Sequence, residues 1–228
     1  SLSISALLLS PVVFAKDFVL TDTVDNIEQA NWKITSDELG LKDAPTFTVT
    51  KKTLHGGKQE GSTLITIDTK DLQVSVIPTR GMNIYEIKSG DVRYGWKSPV
   101  DEIVNPAFMN LEMRNGLGWL DGFNEMMVRC GYEWTGHPGE ENGKLLSLHG
   151  RAGNTPASKV IVSIDDTAPY AIHVRGLVKE NTFKISALET WTQISVIPGE
   201  KTVKLHDELT NNSDYDRDYQ IIYHSNFG

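Results

Sequence analysis

Leu148-His149-Gly150-Arg151-Ala152-Gly153-Asn154 sets a histidine and an arginine two residues apart. A neutral imidazole passes a proton near neutral pH, and a guanidinium fork holds hydroxyls or a carboxylate. The flanking glycines allow ligand and backbone to approach closely. In an extended chain residues i and i+2 share a face, so His149 and Arg151 are expected to point into one pocket. A second histidine, His224, stands where the apolar run Ile221-Ile222-Tyr223 stops. A titratable group at the end of a strand suits general acid work. Arg80 sits in the turn Pro78-Thr79-Arg80-Gly81-Met82, while Asp121-Gly122-Phe123-Asn124-Glu125 and Arg129-Cys130-Gly131 bring both charges to the middle of the chain. Taken one at a time, each group also fits a satisfied turn or core-edge residue, and pattern alone does not choose.

Other chemistries lack the residues they need. His137 and His149, with Glu133, Glu140 and Glu141 nearby, have no standard metal-ligand spacing, so no metal site is expected. There is no Gly-x-Gly-x-x-Gly after a strand, no phosphate loop and no Gly-x-Ser-x-Gly elbow. Lys and Arg total 22 against 30 Asp and Glu, a formal charge of −8 in 228 residues, which argues against a nucleic-acid partner. A lone cysteine excludes an intrachain disulfide or a cysteine-based zinc cluster, and Cys130 is expected to be packed away and inert.

The elements that must position these groups read as strands. Thr63–Ile67, Leu72–Ile77, Met82–Ile87, Val160–Ile164, Ala171–Val178, Lys201–Glu208 and Tyr219–Tyr223 are short and rich in Val, Ile, Thr and aromatics. Phe183–Ile197 has the same character with an internal break. Turn residues bound each run, and strands spaced in this way without helices between them predict an all-β, antiparallel sandwich. Asp22–Asn31 and Pro99–Met109 are modest helix candidates. Between Gly90 and Pro156 the alternation lapses into a mixture of Gly, Asn, Arg, His and aromatics. Such long excursions are usually functional, so Tyr94, Trp96, Phe108, Trp119, Phe123, Tyr132 and Trp134 are expected to wall any site.

Ser1–Ala15 reads as an export signal without its charged front end: an apolar stretch followed by small residues before Lys16. A mature protein starting near Lys16 and working in the periplasm or outside the cell follows from that reading, with residues 16–228 forming one β domain. No other segment approaches the roughly 20 apolar residues of a membrane-spanning helix.

Five segments in order carry a resemblance: Ile77–Met82; Gly116–Glu125 running into Val128–Gly131; Leu148–Arg151; Asp207–Asn211; and Tyr223–Gly228. Together they resemble the aldose 1-epimerase, or galactose-mutarotase-like, superfamily, and within it a bacterial epimerase-related branch. The resemblance covers about Leu54 to Gly228. It implies a large β-sandwich (a supersandwich), a small-molecule sugar as partner and no cofactor. His224 matches the histidine that acts as general acid on the ring oxygen, and His149 matches the one that binds and polarises the sugar. Arg80, Asn124, Glu125, Arg129 and Arg151 lie in branch motifs as expected hydroxyl or carboxylate contacts. His55, in Leu54-His55-Gly56-Gly57, precedes the Arg-Gly-Met strand and so falls outside the family's order. The family's base is a glutamate that follows the acid histidine, and no glutamate in that context precedes Gly228, which predicts a fold incomplete at its C-terminus. A carbohydrate-binding protein without turnover, or a lyase or isomerase acting on an oxidised sugar, fits the same residues.

Overall fold

The computed structural model describes residues 15–228, so nearly all of the expected export signal lies outside the described residues. Up to and into the first residues of the long excursion the chain forms β1 (Ala15–Asp22), β2 (Ile27–Glu28), β3 (Asn31–Thr35), β4 (Thr48–Thr53), β5 (Thr63–Asp68), β6 (Gln73–Ile77), β7 (Asn83–Ser89) and β8 (Val92–Tyr94). Within and after it come β9 (Met127–Tyr132), β10 (Gly139–Glu141), β11 (Lys144–Leu146), β12 (Lys159–Asp165), β13 (Ile172–Thr182), β14 (Ser186–Val196), β15 (Val203–Asn211) and β16 (Gln220–Ser225).

Two antiparallel sheets result. One is ordered β15-β14-β13-β12-β1-β2, the other β16-β9-β7-β6-β5-β4-β3 with β8 on β7, and β10-β11 is a separate hairpin. Period-two alternation builds the core between them. Val160, Val162, Ile172, Val174, Ile194 and Val196 of the first sheet face Val49, Ile65, Ile67, Val74 and Val76 of the second, all fully shielded from water. The expected all-β sandwich is therefore present, and the fold positions the ends of β9 and β16 beneath the excursion.

Neither expected helix forms over its length. Asp22–Asn31 is a turn leading into the short pairing of Thr21 with Glu28. Only Pro106–Phe108 of the second candidate is helical, a single 3-10 turn whose Asn105 side chain accepts from the Ala107 amide at 3.0 Å. The expected break inside Phe183–Ile197 lies earlier, in the turn before Ser186, and β14 then runs unbroken against β13. β9 is the element that alternation hides, because Met127–Tyr132 is buried on both faces.

Candidate active site

The register of two strands decides which side chain faces which way. His224 of β16 pairs with Val128 of β9, and Tyr223 pairs with Arg129. Paired residues project to the same side of a sheet and successive ones to opposite sides. His224 therefore shares a face with Val128 and Cys130, which pack with Trp119 and Leu148 under the excursion. Tyr223 and Arg129 turn inward, where both bind Asp207 of β15: Arg129 Nε lies 2.6 Å and Tyr223 Oη 3.0 Å from its Oδ2. This tie, buried at Arg129 and Asp207, joins the two sheets, and a one-residue slip of β16 would exchange His224 for Tyr223. Cys130 is fully buried on the excursion side, and burial pushes its thiol up to about 12, consistent with an inert residue.

The excursion brings His149 to the same place. The His149 and His224 rings lie edge to face with centroids 5.3 Å apart; Trp119 is 4.8 Å from His149, and Phe123 is 5.5 Å from His224. His149 has φ +58, and its Nδ1 is 2.7 Å from the Thr135 carbonyl. A carbonyl only accepts, so Nδ1 carries the proton and Nε2 keeps a lone pair when the ring is neutral. Burial is the main cause holding His149 below its ordinary value, with the His224 and His137 charges adding to it. Protonation of His149 is thus disfavoured. His224 Nδ1 is buried without a partner, which leaves Nε2 as the nitrogen able to reach a ligand.

Gly150 lets the loop make this approach. Its φ is +70, and a Cβ there would stand 2.3 Å from the Trp134 carbonyl oxygen and 2.5 Å from that of Gly131. Gly150→Ala is therefore expected to destabilise the protein by at least about 1–3 kcal/mol. Urea melts of the variant would show this, and an unchanged midpoint would mean the loop relaxes freely.

Arg80, Asn124, Glu125 and Arg129 are placed differently from the expected sugar contacts. All four are buried and turned toward protein. Arg80 Nη1 donates to the Gly122 carbonyl at 2.7 Å, and its Nη2 lies 2.7 Å from Glu125 Oε1, at ion-pair distance but without hydrogen-bond direction. Glu125 also accepts from Asn83 Nδ2 at 3.0 Å and from the Asn124 amide at 3.1 Å. Asn124 Nδ2 donates to the Val100 and Glu102 carbonyls, and Arg129 Nη1 to those of Gly81 and Met82. These residues form a polar floor that fixes the excursion on the sheet. Asn83 is its hub, since its Oδ1 also accepts from the Arg129 amide at 3.2 Å.

Arg151 does not join His149. The positive φ at His149 and the 3-10 turn Ala152–Asn154 break the extended geometry that a shared pocket required. Arg151 lines a separate cavity with Trp134 and Glu180. Burial raises the Glu180 carboxyl above its ordinary value, partly offset by the Arg151 charge. A carboxyl that holds its proton more tightly when folded adds stability below its ordinary value of 4.5, and that contribution fades as pH rises through the raised value. Glu180→Gln is therefore expected to gain in Tm relative to wild type on going from pH 4.5 to pH 7.5. Each kcal/mol corresponds to about 2–4 °C in a chain of this size, and equal differences at both pH values would contradict the assignment. His55 stands apart and exposed, with its Nδ1 3.0 Å from Glu60 Oε1. Among the described residues no group of three or more His, Cys, Asp or Glu could hold a metal ion.

A family model described as a domain of unknown function, DUF4432, matches residues 59–228, well over half of the chain. The chain belongs to the DUF4432 family. The matched span holds the whole His149–His224 arrangement and the polar floor beneath it. A crystal structure of a Klebsiella pneumoniae protein described as a candidate aldose 1-epimerase superposes on this DUF4432 chain with a TM-score of 0.92 at 59% identity. It matches 94% of this chain, which spans 56% of that protein's length. The expected kinship with an aldose epimerase-like branch is thereby shown. No curated protein matches the chain significantly.

Proposed function

We propose that this DUF4432 protein is an isomerase of the aldose 1-epimerase kind that interconverts the anomers of a sugar by acid-base ring opening. One observation carries the reading: two half-buried imidazoles, 5.3 Å apart, rest on a wall of Trp119 and Phe123. Ring opening needs a proton delivered to the ring oxygen while another is taken from the anomeric hydroxyl. The bond from the anomeric carbon to the ring oxygen then breaks as the carbonyl forms. Rotation about the bond from the first carbon and reclosure, with both proton transfers reversed, give the other anomer.

His224 is the acid in this reading, acting through Nε2. His149, kept neutral with its proton on Nδ1, accepts a substrate hydroxyl at Nε2, so its part is to hold the sugar rather than to protonate it. Phe123, partly exposed, offers apolar surface to the face of a sugar ring, with the buried Trp119 packed behind it. The base is the glutamate that the resemblance places after the acid histidine. Arg80, Glu125, Asn124 and Arg129 act as the floor that positions the excursion carrying His149.

Polarimetry of freshly dissolved single anomers with the full-length protein tests the reading. Mutarotation faster than the spontaneous rate for at least one aldose is the expected result. Binding without acceleration for every aldose would replace it with a sugar-binding function.

A further inference from the structure

On the other side of the His149–Arg151 loop lies a cavity of about 230 Å³, lined among others by Gly150, Arg151, Trp134, Ser147, Glu180 and Ile185. Glu180 forms part of its lining from β13. The residue is only 5% exposed; its Oε2 accepts from the Tyr132 amide at 3.4 Å, while Oε1 has no partner. A buried carboxyl oxygen without a donor is destabilising, more so if charged, so a ligand hydroxyl delivered there would satisfy a standing need. Arg151 is exposed and makes no side-chain ion pair among the described residues, which leaves its fork free. The Trp134 indole N–H is already given to the His137 carbonyl at 2.9 Å, so what this residue offers is ring surface.

Polar groups beside an aromatic ring and aliphatic side chains suit a polyhydroxyl ring, which presents hydroxyls at its edge and C–H groups on its faces. The charges argue against an anion. Glu133 and Lys144 pair with each other at 2.5 Å, which leaves Arg151 alone against Glu180 and Glu112.

We propose that this cavity is a second carbohydrate subsite that binds a neutral sugar ring between Trp134, Arg151 and Glu180. It is separate from the histidine pair, because the loop that carries His149 toward Trp119 turns Arg151 the other way. The subsite does not depend on turnover at His224.

Methyl glycosides of glucose, galactose and mannose are suitable probes, since they cannot open their rings and so report binding alone. Saturation-transfer NMR and titration with the full-length protein should detect at least one of them. Affinity should fall about tenfold or more in Arg151→Ala and in Trp134→Ala, and stay within about twofold in His224→Ala. That range corresponds to the loss of one good polar or stacking contact. Arg151 is exposed, so its variant decides the matter should Trp134→Ala fail to fold. No binding across the panel, affinity unchanged in Arg151→Ala, binding lost in His224→Ala, or glucuronate preferred over every neutral glycoside would each overturn the proposal. Loss in His224→Ala with no effect of Arg151→Ala would assign the sugar to the histidine site instead, a result distinct from failure of the isomerase reading.

Discussion

Replacing Glu125 with alanine is expected to lower the stability of this protein by about 3–5 kcal/mol, because it strands the fully buried Arg80 guanidinium. Glu125 is the counter-charge of Arg80 and accepts from Asn83 and the Asn124 amide, so one deletion strands a cation and removes an acceptor from two donors. The excursion is tied to the sheet through the same groups: Arg80 reaches Gly122 and Asn83 reaches Glu125, while Asn124 braces the excursion internally at Val100 and Glu102. A double variant, Arg80→Met with Glu125→Leu, should be much less damaged than the sum of the single changes, since it removes both charges together. Denaturant titration of the four proteins measures the coupling. A Glu125→Ala variant within about 1 kcal/mol of wild type would show that water or a rearranged neighbour satisfies Arg80, and the positioning role given to this floor would fall.

The second large effect concerns chemistry. Loss of a general acid typically costs 10²–10⁴-fold in rate, and His224→Ala should fall in that range in kcat for anomer exchange. The fold should survive, because His224 is half-buried and its Nδ1 makes no hydrogen bond. His149→Gln should act differently. Its ring is neutral and bound to the Thr135 carbonyl, so its removal should raise KM more than it lowers kcat. Equal kcat losses in both variants would mean that the two imidazoles work as one proton relay and not as acid and holder.

Much of the sandwich was legible because its strands obey period two with β-branched residues on one face, as Thr63–Asp68 and Ser186–Val196 do. β9 was not, since the excursion covers its outer face and erases the polar half of the alternation. His149 and His224 stood out as titratable groups beside glycines or at a strand end. Their mutual approach depends on a loop with positive φ that no alternation encodes. The arginines were legible as chemistry but not as placement. Arg80 and Arg129 have the residue type of a ligand contact, and only long-range pairing with Glu125 and Asp207 shows them to be internal. Asn83, Asp207 and Glu180 were not singled out as site residues. A partial signal existed, because two arginines set in apolar segments each need a buried counter-charge. Glu180 offered a similar hint, as a carboxylate in phase with the buried Ile172, Val174, Gly176 and Val178 of β13.

Magnetisation-exchange NMR between the α and β anomeric protons of a panel of aldoses observes the ring-opening event itself, with the full-length protein and its His224→Ala variant side by side. Exchange above the spontaneous rate is expected for at least one aldose with the wild type, with a return to near the spontaneous rate in the variant. Exchange that is no faster than spontaneous for every sugar, or that persists undiminished in His224→Ala, would contradict the isomerase reading.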